Sequence, residues 1–210
     1  MTARAMTVLA AAALAACSGK LPETRYYQLA APAGAARGGD GVLVLDSLAT
    51  DPAYDDDRIV YRTTPYRLDY YQYHRWASAP GAMIGNYLEQ ALEHSGRFHA
   101  VLREVAPDTP VLLGGRVLAI EEVDRSSTAW FGHIAVELAL TDARTGELLW
   151  SEEFDEIEPL AQQSPEGLAA ALSRVMARIA QRIAPPVAEL AMRQTRAHAE
   201  RAAAAAPRSP

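Results

Sequence analysis

The sequence predicts one α+β domain, a mixed, largely antiparallel sheet packed by two main helices, behind an apolar leader. Three observations carry that prediction. Stretches rich in β-branched and aromatic residues alternate with turn signals through most of the chain. Only two later stretches keep an apolar stripe at spacings of three and four residues. An apolar N-terminal run ends in small residues and Cys17, the only cysteine. The 210 residues suit one domain of ordinary size. A net charge of −6 with 22% charged residues excludes a basic nucleic-acid binder and a disordered acidic tail. One cysteine allows neither an internal disulfide nor a cysteine zinc cage.

Residues 1–16 read as a signal peptide, with Arg4 its single basic residue. As helix, the apolar run Met6 to Ala16 would rise only about 16 Å, half of a hydrocarbon core of about 30 Å. Leu14-Ala15-Ala16-Cys17 resembles a bacterial lipobox. That resemblance implies a diacylglycerol on the Cys17 thiol, cleavage just before it, and an N-acyl chain on the new amine. No cofactor is expected beyond these acyl chains. Ser18, where aspartate would signal inner-membrane retention, favours an outer-membrane lipoprotein facing the periplasm. A buried free cysteine is the bland alternative. Cleavage removes Arg4 and no acid, so the remaining chain is one charge more acidic. Residues 17–24 form a short tether reaching at most roughly 25 Å to the first strand.

The domain is expected at 25–185, beginning with a strand over Arg25 to Leu29. Ala33 to Gly41 reads as a flexible loop, and Val42 to Leu48 as a strand covered on both faces. A polar loop, Leu48 to Asp57, precedes strands at Arg58 to Thr63 and Tyr66 to Tyr73. Pro80 then opens a helix with Ser78 as N-cap, an apolar stripe over Met83, Ile84, Tyr87, Leu88, Ala91 and Leu92, and Gly96 as its stop. Phe98 to Glu104 is a short strand. Val111 to Val123, His133 to Thr141 and Glu147 to Asp155 form a meander, with Asp142 to Gly146 a strong turn. Ser164 caps a final helix with Pro165 at its first position, buried through Leu168, Leu172, Val175, Met176, Ile179 and Ile183. Pro185-Pro186 is expected to stop it, leaving 186–210 as an Ala/Arg-rich tail, a marginal helix or disordered.

The chemistry motifs are poor, so no enzyme is expected and no catalytic residue is assigned. No nucleophile elbow, zinc-protease helix, Walker A loop or dinucleotide fingerprint is present. The histidines 74, 94, 99, 133 and 198 form no pair at metal spacing on a helix, and Asp51, Asp55, Asp56 and Asp57 lack the pattern of a calcium loop, so no metal site is expected. Glu121/Glu122 and Glu152/Glu153 point to opposite sides of a strand, wrong for two acids sharing one substrate. Arg75 and Trp76 either form a cation–π pair or anchor a loop in the core; the core reading is favoured. Trp130 and Phe131, in the link between two long strands, either project to a lipid or partner or fold back over the sheet.

With its segments in this order, the chain resembles the ABC-type transport auxiliary lipoproteins, the family of paraquat-inducible protein C. The likeness rests on Thr24-Arg25-Tyr26-Tyr27-Gln28-Leu29 soon after the lipid cysteine, and on Asp57-Arg58-Ile59-Val60-Tyr61-Arg62-Thr63. Tyr66-Arg67-Leu68, His74-Arg75-Trp76-Ala77, the helix with Leu88 and Leu92, and Phe98 continue it. It implies a non-catalytic outer-membrane lipoprotein serving an MCE-type (mammalian cell entry) lipid transport system. Its partners would be an MCE-domain protein, an ABC permease and an ATPase, with homo-oligomerisation open and no nucleic acid. The alternative is an assembly lipoprotein for another outer-membrane machine, such as lipopolysaccharide export.

Overall fold

The computed structural model describes residues 22–31, 38–106 and 109–205. The signal peptide, Cys17, most of the tether and part of the Ala33 to Gly41 loop lie outside the described residues. Nine strands form one mixed sheet: β1 (Arg25–Tyr27), β2 (Gly41–Leu45), β3 (Ala49–Thr50), β4 (Arg58–Thr64), β5 (Arg67–Trp76), β6 (Phe98–Leu102), β7 (Val111–Ser126), β8 (Ala129–Asp142) and β9 (Leu148–Pro159). Among the described residues two helices accompany them, α1 (Pro80–Glu93) and α2 (Pro165–Ala205).

The hub is β7. Along one edge β8 pairs with it antiparallel over nearly its whole length, and β9 continues the meander antiparallel to β8. The other edge is shared. The start of β7 takes β2 in parallel, its middle takes β3, and its end takes β4. Beyond these, β6 pairs with β2, β5 pairs antiparallel with β4, and β1 runs parallel to β5. The long ladders are antiparallel and most short ones parallel, so the sheet is mixed, in a single α+β domain.

Alternation along β8 puts Gly132, Ile134, Val136, Leu138 and Leu140 on one face, all buried. That face receives α2. A Cβ on Gly132 would sit 2.9 Å from Leu172 Cδ2, so glycine permits the close approach of helix to sheet. Leu168, Leu172, Val175, Met176, Ile179 and Ile183 are all fully buried beneath the helix, the stripe expected from spacing. Each such aliphatic side chain contributes roughly 1.5–3 kcal/mol of burial. The Ser164 hydroxyl accepts from Gly167 N–H at 3.1 Å, confirming the cap. The Tyr87 hydroxyl on α1 donates to the Ser173 carbonyl at 3.0 Å and ties the two helices together.

Several boundaries differ from expectation. The strand after the loop ends at Leu45 rather than Leu48, and the supposed polar loop contains β3. Helix α1 is capped by Ala79, without a side-chain bond, in place of Ser78. The larger correction is at Pro185-Pro186: α2 continues through both prolines to Ala205. Two adjacent prolines remove two ladder hydrogen bonds, a cost of ~3 kcal/mol or more each. The apolar stripe continues past them, however, through Ala184, Val187, Ala188 and Ala191, none more than 4% exposed. Tertiary burial of that second half overrides the local break, and the segment read as a tail is helix as far as Ala205. No helix among the described residues is long and apolar enough to cross a membrane.

Candidate functional site

The two family-like blocks of sequence meet in space. Arg58 on β4 lies opposite Arg75 on β5. Asp57, just before β4, forms a salt bridge with the Arg75 guanidinium, and its carbonyl accepts the Trp76 N–H at 2.6 Å. Trp76 is 1% exposed, so the core reading holds for this pair. Two further acids of the same loop are also paired: Asp56 with Arg58 at 2.7 Å and Asp51 with Arg116 at 2.8 Å. The Arg58 bonds hold the Asp56 carboxyl well below the usual range. No cluster of three metal-ligating side chains occurs among the described residues.

Beside this block, β7 buries consecutive acids on opposite faces. Glu121 accepts from Tyr54 Oη at 2.9 Å and Arg62 Nε at 2.8 Å, and meets His133 Nδ1 at 3.0 Å. Burial pushes its pKa up, but the bonds from His133, Arg62 and Tyr54 outweigh that and hold it below its ordinary value. His133 responds in the opposite sense: its bond to Glu121 raises it, burial opposes, and Asp155 at 3.0 Å on its Nε2 adds to the rise. Burial and the neighbouring Glu121 charge push the Tyr54 phenol up to about 12.

Glu122 has no cation. It is fully buried and accepts from Tyr71 Oη at 2.7 Å. Its other oxygen, Oε2, and Asp124 Oδ1 two residues on are buried without another partner. Burial raises Glu122 to about 7; the Tyr71 bond opposes this and the Asp124 charge reinforces it. Tyr61 and Tyr71 pack beside the pair with tilted rings and centroids 4.9 Å apart, and Tyr71 meets His74 edge-on at 5.5 Å. The two carboxyls lie on opposite faces of the sheet, so Glu121 and Glu122 cannot act on one substrate. Alternation foretold their opposite directions but not their burial. Two acids between Ile120 and Val123 in a strand were the available signal.

Two further constellations escaped sequence reasoning. Asp142, 2% exposed, accepts from the Arg144 and Thr145 N–H groups and pairs with His198 Nε2 at 2.9 Å. Burial raises its pKa, yet the donors, His198 foremost, hold it well below the normal range. This contact fastens the far end of α2 to the β8–β9 turn. Along the same helix, Arg174, Arg178 and Arg182 reach Glu158, Glu156 and Glu152 on β9, with Arg178 and Arg182 each touching two acids. The four-residue step of a helix and the two-residue step of a strand face bring these charges into register.

Trp130 and Phe131 are not at a projecting tip. Both lie within β8, half-buried, opposite Asp124 and Val123. The strands run three residues beyond the expected end of β7 and four before the expected start of β8, so Ser127 and Thr128 make the turn. The Arg125 guanidinium covers Phe131, 4.7 Å from the ring centroid. Cys17, the proposed lipid-bearing residue, lies outside the described residues.

The fold resembles that of a Xanthomonas campestris protein of the DUF330 family, with a TM-score of 0.69 at 19% identity, covering 82% of this chain and 99% of that one. It also resembles the crystal structure of an uncharacterized protein, with a TM-score of 0.65 at 18% identity, covering 79% of this chain and 99% of the other. At such identities the likeness is one of fold. No curated protein sequence matches the chain. The family profile described as "ABC-type transport auxiliary lipoprotein component" matches residues 27–184, taking in the β4–β5 block, the β7 acids and most of the buried stripe of α2. The chain therefore belongs to the ABC-type transport auxiliary lipoprotein family.

Proposed function

We propose that this protein is a non-catalytic, lipid-anchored component of an MCE-type ABC lipid transport system. It docks or guides the assembly at the outer membrane and supports phospholipid movement across the envelope. Family membership over residues 27–184 is the observation that carries this reading. The lipobox-like sequence ending at Cys17 supports the anchor. In the proposal Cys17 carries a diacylglycerol and an N-acyl chain. Two or more chains suffice for stable membrane attachment. The sheet and its two helices supply a rigid body, and ATP hydrolysis belongs to another chain. The partners are an MCE-domain protein, a permease and an ATPase of the same system.

Crosslinking of the intact lipoprotein in membranes, followed by pull-down, tests the proposal. Recovery of an MCE-domain protein is the expected result. Recovery of a lipopolysaccharide-export component in its place would overturn it, as would hydrolysis of a lipid or peptidoglycan substrate by the purified protein.

A further inference from the structure

One end of the sheet collects features suited to a lipid surface. Because β4 runs parallel to β7, with Arg62 opposite Val123, the β4–β5 and β7–β8 turns close side by side. Between them lies a cleft of about 260 Å³ lined by Arg62, Thr63, Thr64, Pro65, Asp124 and Arg125. Tyr66, at the first turn, is 96% exposed, and Arg67 beside it pairs among the described residues only with Asp69. Arg125 makes no salt bridge among the described residues; it lies over Phe131 at the mouth of the second turn. An exposed tyrosine beside arginines is a combination that favours the headgroup layer of a bilayer.

The direction of the chain brings a membrane to the same end. β1 runs parallel to β5, with Arg25 beside His74 and Tyr27 beside Trp76. The backbone therefore enters β1 from the side on which β5 begins, where the turns lie. From His74 back to Arg67 is about 23 Å, at ~3.3 Å per residue. The residues between Cys17 and β1 span at most roughly 25 Å. An anchor on Cys17 thus holds a bilayer within reach of Tyr66 without the chain reversing direction.

The geometry points to this turn-bearing end as a phospholipid-contact surface, with Tyr66 in the headgroup layer and the cleft beside Arg125 receiving a lipid phosphate. The inference rests on the Cys17 anchor proposed above. Its test uses the full lipidated chain. Once Cys17 is thioether-linked, an introduced cysteine is the sole free thiol. A fluorophore is placed by Thr64→Cys at this end, or by Arg144→Cys at the opposite end. The proteins are reconstituted into phosphatidylethanolamine–phosphatidylglycerol vesicles carrying a doxyl-lipid quencher. The label at 64 is expected to be quenched several-fold more than that at 144, and Tyr66→Asp to reduce the difference. Equal quenching at the two positions, or stronger quenching at 144, overturns the surface while leaving the anchor intact. Failure of radiolabelled palmitate to enter the wild-type protein, but not a known lipoprotein in the same cells, overturns the anchor and the surface with it.

Discussion

Glu121 and Glu122 are neighbours on β7, yet their carboxyls lie buried on opposite faces of the sheet, with pKa values displaced in opposite directions. Glu121 meets the Arg62 guanidinium at 2.8 Å and His133 at 3.0 Å, while Glu122 faces the Tyr71 hydroxyl and Asp124. A single step along the backbone thus separates a carboxyl whose charge is stabilised from one in which burial favours the proton. Both arrangements make stability depend on pH.

Glu122→Gln tests the proton favoured by burial. Its folded-state value, about 7, lies above the ordinary 4.5. Its contribution is therefore fully present below that ordinary value and is lost as pH rises through about 7. The amide keeps a donor for Asp124 and an acceptor for Tyr71 but does not ionise. Relative to wild type, the variant gains on the order of 1 kcal/mol per pH unit between the ordinary value of 4.5 and about 7, and levels off above that. Urea midpoints from about pH 5 to pH 9 check this; a constant offset across that range contradicts it.

The opposite face is read through His133. Its pKa is raised by Glu121, against burial, with Asp155 assisting. The imidazolium contribution is thus present below 6.5 and fades as pH rises through the folded value. Glu121→Gln lowers the His133 pKa in an NMR titration and costs about 3 kcal/mol or more, because Arg62 loses its partner in a mostly buried site. An unmoved imidazole titration would show that Glu121 does not set it.

The far half of α2 depends on His198 and Asp142. Asp142 is held below its ordinary value, so its contribution is present above about pH 4 and is lost as pH falls further. His198→Ala removes one charge-assisted bond, a loss of about 1.5–3 kcal/mol. Amide exchange across residues 187–205 then accelerates, while exchange near Leu172 does not. Uniform protection along the helix would refute the contact as a fastening.

Arg178 spans two β9 acids but is 41% exposed, so its worth is screened by solvent. Arg178→Ala is expected to cost about 1 kcal/mol or less. The loss shrinks in high salt. Melting temperatures at low and high ionic strength provide the measurement.

Trp130 and Phe131, half-buried in β8, contribute packing. Changing both to alanine lowers stability by about 3 kcal/mol in a denaturant titration. If the folded variant also binds lipid and partner normally, these rings have no separate binding role.

What could be read from residues was local. Alternation marked the long strands, three-and-four spacing marked the buried stripe of α2, and Asp142 to Gly146 announced a turn in which Gly146 takes a φ of +73°. The lipobox, too, is a short contiguous pattern. What only the tertiary structure decided was non-local. Parallel pairing of β4 with β7 and of β1 with β5 brings the turns and the chain's entry to one end, and no short pattern encodes a partner about fifty or sixty residues away. Alternation foresaw the opposite directions of Glu121 and Glu122, but their burial and charge states depend on what packs across each face. Pro185-Pro186 reads as a stop in isolation; burial of Val187 and Ala191 against the sheet carries the helix through. Propensity acts residue by residue, whereas burial sums over everything a segment touches, so a local pattern carries the weaker of the two influences on where a helix ends.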